Sequence, residues 1–588
     1  MPEAVSLRAF GKENKLKKLA KYLKGYVKES ILGPLFKLCE ATLELIVPLI
    51  IAAVIDNGIA TGNKPYIVNM CLLLALIGAV GLAFSITAQY FAAKASVGFA
   101  TRVRGTLFSH LGTLSYSDID TIGTSTMITR MTQDTAKVQS GLNLALRLLL
   151  RSPFVVFGAM IMAFTIDTTS ALTFVGVIPV LSIIIYGIMF ITVPMYKKVQ
   201  GSTDKVLLKT RENLSGARVV RAFGKEDYEI DAFRRDNDIL TTVQKRVGYV
   251  SALLNPLTYV VINLAILVLI YVGAIEVNVG VLTQGEVVAL YNYMSQILIE
   301  LIKLANLIVT IAKAVASAGR ISDILDMTPA VVYGECDSIG DSDVAIKLNS
   351  VGMRYVNAGG NSISELSFEV MKGQTLGIIG GTGSGKSTLV NMIPGFYRPT
   401  EGTLSLFGKD ISEYSKECLN SIVGIVPQHV VLFKGTVRDN MRVGNENATD
   451  EEINESLKIA QADGVCADKG GLDGIIEQEG RNLSGGQKQR LTIARALVKK
   501  PKILILDDSA SALDFATDAA LRKAIREGVC GATVVIVSQR ASTIMHADKI
   551  IVLDEGRAVG IGTHDELLTS CEVYKEIYES QFKKEGAV

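Results

Sequence analysis

Six long apolar runs fill the first 317 residues of this 588-residue chain, and they leave few folds open to it. They cover residues 31–55, 67–93, 142–166, 171–196, 249–272 and 287–311. Each is long enough to cross ~30 Å of hydrocarbon as a helix, the form that satisfies its own backbone polar groups. Beyond residue 317 the pattern changes to short β-like runs alternating with polar helical stretches, the pattern of an α/β domain. The expected architecture is multi-domain. An amphipathic N-terminal segment (1–30) precedes an all-α six-helix membrane domain with long cytoplasmic helical extensions (31–317). A linker (318–344), rich in Pro, Gly and acidic residues near 327–342, leads to the α/β domain (345–588). A chain that is 49% hydrophobic yet 20% charged fits a greasy part and a soluble part in series. The net charge of +2 argues against a nucleic-acid partner, which calls for a concentrated basic surface. The cysteines are scattered with no C-x-x-C pair and are expected to be reduced thiols. No cleavable signal is evident in the basic N-terminus.

Lysine and arginine set the orientation. Arg8, Lys12, Lys15, Lys17, Lys18, Lys21, Lys24 and Lys28 precede the first run, and residues 197–246 are similarly basic. The loops on the other side offer only Lys64. The positive-inside bias therefore puts the N-terminus, both long loops and the C-terminal domain in the cytoplasm. Leu16, Leu19, Leu23 and Val27 recur at helical spacing among the lysines, which predicts an amphipathic helix on the inner leaflet of the lipid bilayer. The long loops, 94–141 and 197–248, are helical in pattern and read either as levers toward the soluble domain or as solvated charged loops.

The soluble half carries a phosphate cradle. Gly380, Gly381, Thr382, Gly383, Ser384, Gly385, Lys386, Ser387 and Thr388 fit G-x-x-x-x-G-K-[ST], after the apolar run 375–379 and before a helical stretch. Backbone N–H groups and a helix N-terminus suit phosphate there. Lys386 is expected to reach the β and γ phosphates and Ser387 to bind Mg²⁺. The apolar run 503–506 ends in Asp507, a carboxylate placed to hold Mg²⁺ directly or through water. The order of these two pieces predicts a P-loop ATPase that takes ATP and Mg²⁺.

Leu483-Ser484-Gly485-Gly486-Gln487 lies between the two pieces, and with it the chain resembles the ABC transporter superfamily. Tyr355 stands where that family stacks an aromatic on adenine, Gln428 falls in the Q-loop as a further Mg²⁺ ligand, and residues 511–514 match the D-loop. Domain order and the six runs are similar to a type IV ABC exporter half-transporter. Residues 123–134 and 212–233 are similar to its two intracellular loops, which in the family carry coupling helices resting on the ATP-binding domains, the second on the partner's. The resemblance implies head-to-tail dimers, in which Ser484, Gly485, Gly486 and Gln487 grip the γ-phosphate of ATP bound by the partner.

Three positions depart from the family pattern. The residue after Asp507 is Asp508 where the family has a glutamate base, one methylene shorter. The switch histidine is replaced by Gln539, which hydrogen-bonds but carries no charge. Gln478 stands where the family has glutamate. The first two resemble the degenerate-site subunit of heterodimeric bacterial multidrug exporters, which keeps an intact signature and works in the cytoplasmic membrane. A homodimer with slow hydrolysis and an ATP-gated channel or regulatory subunit on the same fold are the alternatives. In the membrane half, Lys37, Glu40, Glu44, Arg147, Arg151, Glu300 and Lys303 all fall at inner-leaflet depth. They read as lining an inward-open cavity for small amphipathic substrates, or as pairing between helices.

Overall fold

The computed structural model describes residues 18–582 apart from Asn357, Ala510, Ser511 and Cys530. The basic residues at 8–17, Leu16, and Ser511 of the D-loop match lie outside the described residues. The chain divides into two compact units, Met1–Gly112 with Ser125–Met327, and Thr113–Thr124 with Thr328–Val588.

Among the described residues the first unit is built of helices. Short polar turns separate the helices. Asn63 caps Lys64–Leu111 by accepting from the Tyr66 N–H, with proline in the first turn. Asp167 divides Arg151–Ile166 from Thr168–Ser215, accepting from the Ser170 N–H at 2.5 Å. Thr283 and Glu286 form a capping box that opens Gln284–Leu325. Lys64–Leu111 and Thr168–Ser215 each have 48 residues. At 1.5 Å per residue each spans about 70 Å, more than twice the hydrocarbon thickness. A large part of each helix therefore belongs in water, which accounts for the polar character of its second half.

Among the described residues, five helical segments are long and apolar enough to cross a membrane: Val27–Ile59, Lys64–Leu111, Thr124–Ile166, Thr168–Ser215 and Glu226–Val279. The sixth expected run lies in Gln284–Leu325, which is 42 residues long but falls short of the same apolarity. That helix is the innermost of the unit. Its Tyr293, Met294 and Ile297 are fully buried, as is most of Glu300. A helix covered by protein need not be apolar all round. Packing elsewhere relies on small residues. Ala88, Ala92, Ala159 and Ala163 are fully buried, and Gly33 backs directly onto Ala88 and Ala92. The buried Tyr293 hydroxyl donates to the Leu45 carbonyl at 2.6 Å.

In the second unit six strands form the main sheet: β1 (Thr375–Gly380), β2 (Val423–Val426), β3 (Ile503–Asp507), β4 (Thr533–Val537), β5 (Lys549–Asp554) and β6 (Arg557–Gly562). Their order is β6-β5-β1-β4-β3-β2, parallel except for β6. β3 and β5 are near-continuous apolar runs because helices cover both faces of such a sheet. A second, antiparallel sheet of Ile363–Met371, Val344–Met353, Glu401–Leu406 and Lys409–Asp410 shares the core through Ile346, Leu404, Ile378 and Val535.

Candidate nucleotide site

Parallel sheets bind ligands beyond the carboxyl ends of their strands. Four adjacent strands here end in residues singled out from sequence. β1 runs into the glycine loop, β3 ends at Asp507 and β4 is followed by Ser538 and Gln539. β2 ends two residues before Gln428. Residues drawn from four stretches between positions 380 and 539 thus meet at one sheet edge, because parallel pairing stacks β1, β4, β3 and β2 side by side.

The glycine loop curls back to open the helix Lys386–Met392. Gly385 has φ +97°, and a Cβ there would lie 2.7 Å from the Ser362 carbonyl oxygen, so glycine is required. Lys386 is buried, and its Nζ donates to the carbonyls of Gly380 at 2.9 Å and Gly381 at 2.6 Å. Burial holds its ammonium below the usual lysine range, while Asp507 and Asp508 pull the other way. These donors fit a triphosphate: a buried cation is already held by weak carbonyl acceptors that phosphate oxygens would outcompete. Burial likewise pushes the Asp507 carboxyl up, with the charge of Asp508 adding to it. Lys386, a hydrogen bond with Ser387, and His429 oppose that rise. A hydroxyl beside a buried carboxylate is a hard-oxygen pair suited to Mg²⁺. His429 was not singled out from sequence.

Asp508 has φ +47° and its N–H donates to the Val537 carbonyl at 3.0 Å, tying it to β4. Gln428 Nε2 reaches Asp508 Oδ2 at 3.5 Å. Burial raises the Asp508 carboxyl, and Gln428, Arg540 and Lys386 counter it. Gln539 is exposed. Gln478 opens a short turn, Gln478–Gly480, in which Glu479 takes φ +58°.

The signature forms a separate site. Ser484 caps the helix Gly485–Val498 in a capping box with Gln487. A cavity of about 360 Å³ lies at that N-terminus, lined by Ser484, Gly485, Gly486, Gln487, Arg490 and Asp514 among others. No residue of the glycine loop lines it. The two glycines keep the amides accessible. A Cβ at Gly486 would press within 3.1 Å of the Ala512 carbonyl oxygen. Sequence reasoning missed Arg490, although it sits about one helical turn beyond Gly486 on the same face.

Tyr355 joins the cradle to a segment from the other half of the sequence. Its hydroxyl donates to Thr388 Oγ1 at 3.1 Å, and its ring meets Tyr397 edge-on at 5.2 Å. The Tyr397 hydroxyl donates to Asp120 at 2.5 Å, and Tyr116 stacks on Phe396 at 4.3 Å. Asp118 accepts from the Ala330 N–H at 3.1 Å. Thus Thr113–Thr124 belongs to the second unit, and the docked helix is Tyr116–Ile122, upstream of the 123–134 expected from sequence. The signal was present: Ser115 and Asp118 form a capping box, and Gly123 ends the helix at φ +79°. The tip expected at 212–233 carries the short helix Ala217–Ala222, flanked by Leu214 at 76% and Phe223 at 74% exposure.

In the first unit, Arg151 pairs with Glu44 at 2.5 Å and with Glu300 at 2.6 Å. Glu300 also accepts from Ser152 and Lys303, both at 2.8 Å. Lys37 pairs with Glu40 at 2.5 Å and donates to Ser85.

Comparison with known proteins decides the family. Residues 30–301 match the family of the ABC transporter transmembrane region and residues 363–511 match the ABC transporter family. The chain is 32% identical over 579 residues to the uncharacterized ABC transporter ATP-binding protein YfiB of Bacillus subtilis, covering 97% of this chain and 100% of that protein. It is 33% identical over 571 residues to the uncharacterized ABC transporter ATP-binding protein Rv1273c of Mycobacterium tuberculosis, covering 96% and 97%. The chain belongs to the ABC transporter family. Its fold matches a bacterial Atm1-family ABC exporter solved with ATP bound, with a TM-score of 0.81 at 24% identity over 96% of this chain and 100% of that one. This ABC transporter therefore has the exporter-type fold, a multi-span helical membrane region followed by an ABC ATPase domain, and exporters of this type work as dimers.

Proposed function

We propose that this chain is one half of a heterodimeric exporter that uses ATP to move amphipathic or hydrophobic, drug-like or lipid-like molecules out across the cytoplasmic membrane. The observation that carries the dimer is the separation of the two half-sites. The signature cavity is lined by no residue of the glycine loop, so a γ-phosphate held by Lys386 needs a signature from another chain. The exposed apolar tip around Phe223 supports the same reading, since exposed apolar surface at a helical tip marks a partner contact.

The heterodimer rests on Asp508 and Gln539. In this reading Lys386 and the loop amides of residues 380–388 bind the phosphates, Tyr355 packs on the adenine, and Ser387, Asp507 and Gln428 hold Mg²⁺, which neutralises charge on the transferred phosphoryl group. Asp508 is the residue that would take a proton from the attacking water. Its carboxylate falls short by roughly one bond length, and such misplacement costs on the order of 10²-fold. Gln539 hydrogen-bonds the γ-phosphate without adding charge. The productive site is then the one that Ser484–Gln487 complete on the partner.

Inverted vesicles containing this chain and its partner test the function. ATP-dependent accumulation of an amphipathic dye against its gradient is expected. Movement only down the gradient when ATP is added would mean a gated channel instead.

A further inference from the structure

A cavity of about 470 Å³ lies in the ATPase domain away from both half-sites. It opens between the helices Phe515–Gly528 and Ala541–Ile544, over β3 and β4. Leu506, Ile525 and Val534 give it an apolar floor. Arg522, Lys523 and Arg526 line it against a single acid, Glu527.

Three observations separate this cavity from an ordinary surface groove. Thr543 lines it at 4% exposure, and its hydroxyl has no hydrogen-bond partner among the described residues. Such a buried group calls for a partner. Arg522 bridges the two helices, donating to the Ser542 carbonyl at 3.0 Å and pairing with Asp518 at 3.0 Å, yet its buried Nε is also unpartnered. Lys523 and Arg526 are exposed and have no ion-pair partner among the described residues. Apolar walls with a few convergent polar groups, at this volume, suit a small organic molecule.

We propose that this cavity is a second ligand site, which takes a small organic anion with an apolar body. Lys523 and Arg526 meet the anionic group, Thr543 supplies a hydrogen bond, and the floor takes the body. The site also touches the catalytic elements. Leu506 precedes Asp507, Phe515 follows the Asp514 cap, and Ala541 lies two residues beyond Gln539. A ligand wedged between the two helices fixes the spacing of all three, so occupancy is expected to change ATP turnover.

The test uses the full chain in lipid nanodiscs with saturating MgATP, so that the phosphate cradle is filled. The chain has no tryptophan, so naphthyl fluorescence is read directly. Three probes are titrated: 1-naphthyl phosphate, 1-naphthoate and inorganic phosphate. Saturable binding of a naphthyl anion is expected, weakened about tenfold by Lys523→Glu with Arg526→Glu, both on exposed positions, and severalfold by Thr543→Val. Tighter binding of the phosphate identifies a phosphate monoester as the natural class; tighter binding of naphthoate identifies a carboxylate. The proposal is overturned if neither naphthyl probe saturates, if inorganic phosphate binds as tightly as they do, or if the charge reversals leave affinity unchanged.

Discussion

Replacing Ser484 with alanine is expected to cut ATP turnover by about 10²–10³-fold, whereas Asp508→Asn is expected to change it little. Ser484 caps the signature helix and lines a cavity at its N-terminus, with no glycine-loop residue among the lining. In the proposed dimer its hydroxyl and the following amides would meet charge that develops on a phosphoryl group held by the partner. Asp508 belongs to this chain's own site, where its shorter side chain is held near Gln428 and tied through its backbone to β4. In the proposed division of labour, removing its charge takes little from a base whose side chain is one methylene short. The measurement is steady-state ATPase of each variant co-expressed with the wild-type partner. A dead Asp508→Asn beside a nearly normal Ser484→Ala would reverse the proposed division of labour.

Arg151→Met is expected to destabilise the membrane unit by about 3–5 kcal/mol, because breaking a buried ion pair strands its partner. The Arg151 side chain is 7% exposed and the Glu300 side chain 4%. Without Arg151, Glu300 keeps Ser152 and Lys303 among the described residues, and Glu44 loses its partner across the bundle. Removing both charges together, as Arg151→Met with Glu300→Leu, is expected to cost less than Arg151→Met alone, since apolar replacements of a whole pair are often neutral. Thermal unfolding in detergent compares the two. A neutral Arg151→Met would mean that the network adds nothing to the fold.

The membrane half was legible because a helix crossing hydrocarbon must be apolar for about twenty residues. The innermost helix, Gln284–Leu325, was the least regular in this respect because burial by protein, rather than by lipid, sets its composition, and burial has no local signature. The same limit applies to Glu300. Sequence placed it at the same depth as Arg151, but only the fold brings residues 149 positions apart to 2.6 Å. The glycine loop and the signature were readable because each works as a continuous stretch at a helix N-terminus. The bridge from Tyr355 through Tyr397 to Asp120 was not readable, because it joins three separate segments by one ring contact and one hydrogen bond. The docked helix was misplaced by several residues for a simpler reason. The capping residues Ser115 and Asp118 and the terminating Gly123 mark it locally, but the resemblance alone put the loop further along, at 123–134.

The central claim is that two different chains share each nucleotide site. ATPase activity of the purified chain alone, measured over a range of protein concentrations and then with a second, different half-transporter added, tests it most directly. Slow hydrolysis alone and a large gain on adding the second chain is the expected result. Full activity of the lone chain, independent of concentration, would contradict it.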